Sequence, residues 1–140
     1  MKKYLFALAT SLALAIGAAA HAQTTHLKVT VPFEFTVGDT TLPAGEYDIQ
    51  AKGPWGGNVL SISNRKANAS AFVISASYVD AKNSKRSELV FTRYGQQYFL
   101  SEVWGANDLG RRMPISSRRV ELAKGQPESE VVLMAASGKK

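Results

Sequence analysis

The chain has 140 residues, with 17 Lys and Arg against 11 Asp and Glu, two His and no Cys. That length holds one domain. The missing cysteines exclude a disulfide framework, a thiolate nucleophile, a zinc–thiolate site and an iron–sulfur cluster, and no cofactor is implied.

Residues 1–22 read as a secretory signal peptide. Lys2 and Lys3 give the positive start, residues 5–20 are almost wholly apolar, and Ala20-His21-Ala22 has the small-x-small cleavage pattern. The apolar run is interrupted by Thr10, Ser11 and Gly17, so it is a weaker spanning segment than the roughly 20 apolar residues a transmembrane helix needs. No later segment is apolar enough to cross a bilayer as a helix. Residues 23–140 then form a single domain of periplasmic or extracellular location. Without disulfides, an exported domain of this size is held by its apolar core.

From His26 to Val37 the odd positions are Leu27, Val29, Val31, Phe33, Phe35 and Val37, and the even ones are mostly polar. Period-two alternation predicts a strand with one dry face. Pro32 lacks a ladder donor, so the run has an edge, a bulge or a break there. Leu42-Pro43-Ala44-Gly45 reverses the chain, and a second strand follows with Tyr47, Ile49 and Ala51 inward. Residues 52–58 hold three Gly and one Pro, and read as a loop. A short strand over 59–63 and a longer one over 69–79 come next, the latter with Phe72, Ile74, Ala76 and Tyr78 on one face. Residues 80–87 form a polar loop.

Residues 88–94 and 97–104 make the clearest hairpin, joined by Gly95-Gln96 with Gly where a type II′ turn needs it. The turn pairs Tyr94 with Gln97, Arg93 with Tyr98, Phe91 with Leu100 and Leu89 with Glu102. One face then carries Leu89, Phe91, Leu100 and Trp104, and the other Val90, Tyr94, Phe99 and Val103. Both are apolar, so a helix, a loop or a partner chain is expected over the second. Residues 105–114 read as irregular. Residues 116–124 form the one helix, capped by Ser116 or Ser117 and stopped at Gly125; a last strand covers 130–136. The sum is an all-β fold, a small antiparallel β-sandwich or β-barrel of about seven strands with one short helix near the C-terminus.

Three stretches stand out: Val31-Pro32-Phe33-Glu34-Phe35-Thr36-Val37-Gly38, Leu42-Pro43-Ala44-Gly45-Glu46-Tyr47, and Arg93-Tyr94-Gly95-Gln96-Gln97-Tyr98-Phe99-Leu100. In this order the chain resembles a group of small exported bacterial proteins, over nearly the whole length after the leader. The second stretch is also similar to turns in transthyretin-like and collagen-adhesin B-type modules. The resemblance implies a secreted all-β protein and carries no assigned catalytic or binding residue.

Candidate chemistry is sparse. His26 is the one histidine after the leader and reads as a surface residue at a strand start. No nucleophile elbow, phosphate-cradling glycine loop or His-x-x-x-His pair is present. Glu46 with Asp48, or Glu88 with Glu102, are the acid pairs a glycosidase would use, although the expected register places the latter two on opposite faces. Basic residues gather as Arg65-Lys66, Lys82 with Lys85-Arg86, Arg111-Arg112 and Arg118-Arg119, all expected in loops or at the helix. They read as a solvated surface, or as a rim for an anionic cell-envelope component. Trp55, on its Gly-Pro loop, is a candidate interface anchor. The candidate binding residues are therefore Trp55, Arg65, Lys66, Arg111, Arg112, Arg118 and Arg119. The expected function is a non-enzymatic interaction or structural module of the periplasm or cell surface, with a protein or an anionic envelope component as partner, no nucleic acid, and self-association open. The alternatives are a small barrel carrying an apolar ligand and a cell-wall or glycan hydrolase.

Overall fold

A computed structural model of the chain describes residues 25–52, 57–80, 87–105 and 109–137. The segment 1–22 read as a signal peptide, Trp55 and the basic residues Lys82, Lys85 and Arg86 lie outside them. The fold is all-β, built from two sheets and one short helix. More strand segments are present than the seven expected, because the long runs break where the chain passes from one sheet to the other.

Strand β1 (His26–Val31) ends at Pro32, and the chain crosses to the second sheet before β2 (Phe35–Val37). The alternation therefore feeds one core from two sides, with Leu27, Val29, Val31, Phe35 and Val37 all buried. β2 turns at Gly38, whose φ is +57°, into β3 (Thr40–Leu42). Pro43 and Ala44 lead back to the first sheet and β4 (Gly45–Lys52). Tyr47, Ile49 and Ala51 of β4 face the core as expected. β5 (Val59–Asn64) pairs with β4, and β6 (Ala69–Ile74) pairs with β5 and ends this sheet. Asn68 takes a left-handed φ of +50° in the turn between them, a conformation that Asn tolerates well.

At Ser75 and Ala76 the chain crosses again, to β7 (Ser77–Asp80) at the end of the second sheet. The hairpin follows as β8 (Glu88–Tyr94) and β9 (Gln97–Trp104), with Gly95 at φ +61°. A strand, β10 (Leu109–Arg112), occupies part of the stretch expected to be irregular; it bridges β9 and β7. Helix α1 (Ser117–Gly125) is capped by Ser116, whose Oγ accepts from the Arg119 N–H at 3.3 Å. β11 (Glu128–Met134) then pairs with β8, and β12 (Ala136–Ser137) returns to pair with β1.

The hairpin register corrects the expectation beyond its middle. Tyr94–Gln97, Arg93–Tyr98 and Phe91–Leu100 pair as expected, but Leu89 faces Val103 rather than Glu102, because a bulge inserts Ser101 opposite the Val90/Phe91 step. An extra residue inverts the facing of everything after it. Val103 therefore joins Leu89, Phe91 and Leu100 in the core, while Trp104 moves to the outer face with Val90, Tyr94 and Phe99. Glu88 and Glu102 come onto one face by the same shift.

Leu42-Pro43-Ala44-Gly45-Glu46-Tyr47 has a structural explanation. The buried Tyr47 hydroxyl donates to the Pro43 carbonyl four residues upstream, a lock like the tyrosine corner of other sandwiches. Gly45 passes so close to the buried Asn64 side chain that an added Cβ would stand 2.4 Å from Nδ2. Asn64 in turn caps its own turn, accepting from the Ala67 N–H at 3.1 Å. Burial pushes the Tyr47 phenol above its usual 10.0, and a hydrogen bond with Asn64 pulls the other way.

Tyr47→Phe strands the Pro43 carbonyl and is expected to cost about 1–2 kcal/mol in urea unfolding at neutral pH. Because the unfolded phenol ionises first, the native protein loses stability as pH rises above 10, and not below it. Tyr47→Phe is expected to flatten that alkaline slope; an unchanged slope would assign it to another group.

Candidate functional site

The outer face of the second sheet is where side chains converge. Met113 continues the β10–β9 ladder, its N–H bonded to the Ser101 carbonyl at 2.8 Å, and the following residues lead to α1. From the helix, Arg119 extends Nη2 to Thr92 Oγ1 at 2.9 Å. Between this segment and the sheet lies a groove of about 300 Å³, open to solvent. Val90 and Thr92 of β8 line it, with Ser101 and Glu102 of β9. Glu128 and Glu130 from β11 form one side, and Arg112, Met113, Ile115 and Arg119 the other.

The strand geometry explains the gathering. Glu128 and Glu130 are two apart on β11, so they share a face, and register sets them beside Tyr94 and Thr92. Val90 pairs with Glu102 on one side and with Val132 on the other. The Ser101 bulge leaves the Ser101 hydroxyl against Thr92, with a hydrogen bond between them.

The carboxylates are individually positioned. Glu102 accepts from Trp104 Nε1 at 3.0 Å and from Arg112 Nη2 at 3.4 Å. Glu128 accepts from the Tyr94 hydroxyl at 3.1 Å. Trp104 lies directly over Gly110, its register partner on β10, where a Cβ would stand 2.7 Å from the indole ring. Tyr94 packs edge-on against Phe99, ring centroids 6.0 Å apart. Val90, Tyr94, Phe99 and Trp104 are all buried. The second apolar face of the hairpin is thus covered within one chain.

The expected arginine rim is dispersed. Arg112 and Arg119 meet in the groove, whereas Arg118 lines a separate cleft of about 160 Å³ near Phe33 and Tyr98. Arg65 and Lys66 sit exposed on the turn after β5. Arg111 corrects the expectation of a surface loop residue: it lies on a strand and is 2% exposed. Its side chain donates to Thr25 Oγ1 at 2.6 Å and to the Gly57 carbonyl at 3.3 Å, and stacks 5.7 Å from the Tyr78 ring centroid. A strand sends adjacent side chains to opposite faces, so of the Arg111-Arg112 pair one enters the interior and the other the groove. His26 meets Asp48 at 3.1 Å across β1 and β4, a contact away from the groove elements. Among the described residues no cluster of three or more His, Asp or Glu is arranged to hold a metal ion.

The sequence reading passed over Thr92, Ser101, Glu128 and Glu130. The alternation of Glu128 and Glu130 ahead of an apolar run was visible, but their place beside Thr92 depends on the pairing of β11 with β8 across α1. A scan against family models, a search of curated proteins and a search of solved structures each found no match.

Gly110→Ala is expected to push the indole off the sheet, lower stability by about 1–3 kcal/mol and free Glu102 from Nε1. In a Trp55→Phe background the Trp104 emission maximum moves to longer wavelength. An unshifted spectrum would show that the close approach is relieved elsewhere.

Proposed function

We propose that the protein is an exported, non-enzymatic interaction module of the periplasm or cell surface, and that it holds a partner protein through the outer face of the second sheet. The observation that carries this reading is the groove under residues 113–119. Mixed charge there, from Arg112, Arg119, Glu102, Glu128 and Glu130, is joined by exposed Ile115, and exposed Val132 and Met134 continue the Glu128–Glu130 face of β11. Arginine with apolar neighbours and a polar rim is the composition of protein interfaces. Three carboxylates beside two guanidiniums favour a peptide segment over a purely anionic polymer, which the glutamates would repel.

The two alternatives receive less support. A carrier of apolar ligands needs a hollow interior, whereas the inward side chains of both sheets form one buried cluster and both clefts lie at the surface. A hydrolase needs two carboxyls free to act on a bond. Glu102 and Glu128 are engaged by donors of their own sheet, and Glu130 is exposed.

Export is supported by the leader pattern of residues 1–22 and by the resemblance of the three motifs to those of small exported all-β proteins. On fractionation of the producing cells the protein is expected outside the cytoplasm with its amino terminus at Gln23; recovery in the cytoplasm with an intact Met1 would remove the export reading.

A photo-crosslinking residue at Ile115 is expected to give one discrete heavy adduct in the cells that make the protein, and the same residue at Lys28 none. Arg119→Ala combined with Glu130→Lys is expected to abolish the adduct with the fold intact. Equal labelling from both positions, or turnover of cell-wall glycan by the purified protein, would overturn the proposal.

A further inference from the structure

The sheets end in strands of unequal protection. β12 is two residues long and β3 three, and β11 opens with Glu128 and Glu130. Short length and charge are the usual defences of a free edge. β6 has neither: it is six residues long, ends the first sheet, and lies in an uncharged run, residues 69–79.

Main-chain direction shows which groups are unused. The Ser75 N–H bonds to the Asn58 carbonyl at 2.8 Å, whereas the Ala76 N–H turns the other way, to the Arg112 carbonyl at 2.9 Å. In an antiparallel ladder successive residues alternate in this manner. Odd positions of β6 therefore bond to β5, and Ser70, Phe72 and Ile74 send their N–H and C=O groups outward. Beyond Ile74 the outward side is taken by β10; along β6 no strand pairs with it among the described residues. Side chains alternate too. Ala71 and Val73 are buried, while Phe72 and Ile74 are 73% and 63% exposed. The face shared by Phe72, Ile74, Ala76 and Tyr78 is the exposed one.

We propose that β6 is a self-pairing edge, and that two copies of this chain join antiparallel through residues 70–74 about a two-fold axis at Phe72. In that register Phe72 faces its own copy and Ser70 faces Ile74 in both directions. All the outward main-chain groups of the three residues are satisfied, and the two phenylalanine rings lie side by side. The occupant is a second copy because residues 69–79 carry no charge and the two-fold register makes the strand its own complement, so the copies meet apart from the basic side chains that would repel. Pairing places no like charges opposite one another. Phe72 and Ile74 of two copies present roughly 500 Å² of exposed apolar surface, of which only the flanks turned toward the partner are covered, so the interface falls below the ~1,200 Å² of the smaller stable ones and the dimer is a weak one. The two-fold closes on itself, so the product is a dimer with a continuous sheet rather than a fibre.

Sedimentation velocity on the purified protein at about 100 µM, a concentration suited to an interface at the small end of the range, is expected to show a dimer. Phe72→Lys, on a side chain already in solvent, is expected to raise the dissociation constant about tenfold or more with an unchanged far-ultraviolet spectrum. Paired Cα atoms at this register lie ~5.5 Å apart, within disulfide reach. Phe72→Cys, the only thiol in the chain, is expected to give a covalent dimer on mild oxidation, and Lys66→Cys is not. A monomeric wild type, or a dimer that survives Phe72→Lys, would overturn the proposal; if Arg119→Ala rather than Phe72→Lys dissolves the dimer, the self-contact belongs to the groove.

Discussion

Phe35 stands between the two sheets and ties them. Its ring is edge-on to Tyr47 of the first sheet at 5.2 Å and to Phe91 of the second at 5.4 Å, and Phe33 extends the cluster at 5.0 Å from Phe91. Phe33 in turn stacks on Tyr98 at 3.8 Å, and Arg93 lies 5.4 Å from the Tyr98 ring centroid. With no disulfide available, this aromatic column and the aliphatic side chains around it carry the cohesion of the domain. Each fully buried large apolar side chain contributes about 1.5–3 kcal/mol of transfer free energy. The turn at Pro43, locked by the Tyr47 hydroxyl, then matters because it aims Tyr47 at Phe35.

Much of the fold was legible because a period of two is written directly into residues 26–37, 45–52 and 88–104. Side-chain direction follows from parity alone as long as the ladder is regular. Parity fails where one residue is added, and nothing in the composition of Ser101 distinguishes it from a regular strand residue. The bulge arises from pairing, so Val103 and Trp104 exchanged faces. Interruptions were legible where proline marked them, as a possible break at Pro32 and a reversal at Pro43, but not as crossings between sheets, and nothing marked Ser75 and Ala76, where the chain changes sheet within an otherwise uniform strand pattern. That same uniformity gave no sign that Phe72 and Ile74 stand in solvent.

The groove was legible only in parts. Arg112 and Arg119 could be chosen as charged residues with the right donors, and Glu102 as an acid of the hairpin. Their meeting depends on three non-local facts: the return of β11 to β8, the reach of Arg119 from α1 to Thr92, and the bulge. Arg111 was misplaced for a related reason. Two adjacent arginines look like surface charge, yet Thr25, Gly57 and Tyr78, distant in sequence, supply acceptors and a ring face that accommodate one guanidinium inside.

β12 closes the first sheet by pairing Ser137 with Leu27 and Ala136 with Lys28, so the two extremities of the domain are neighbours. Such contacts span almost the entire sequence, and closing them comes late in folding because the loop entropy is met before the contact is gained. The pairing of β12 with β1 is consequently a late step, taken on sheets whose local hairpins are already formed.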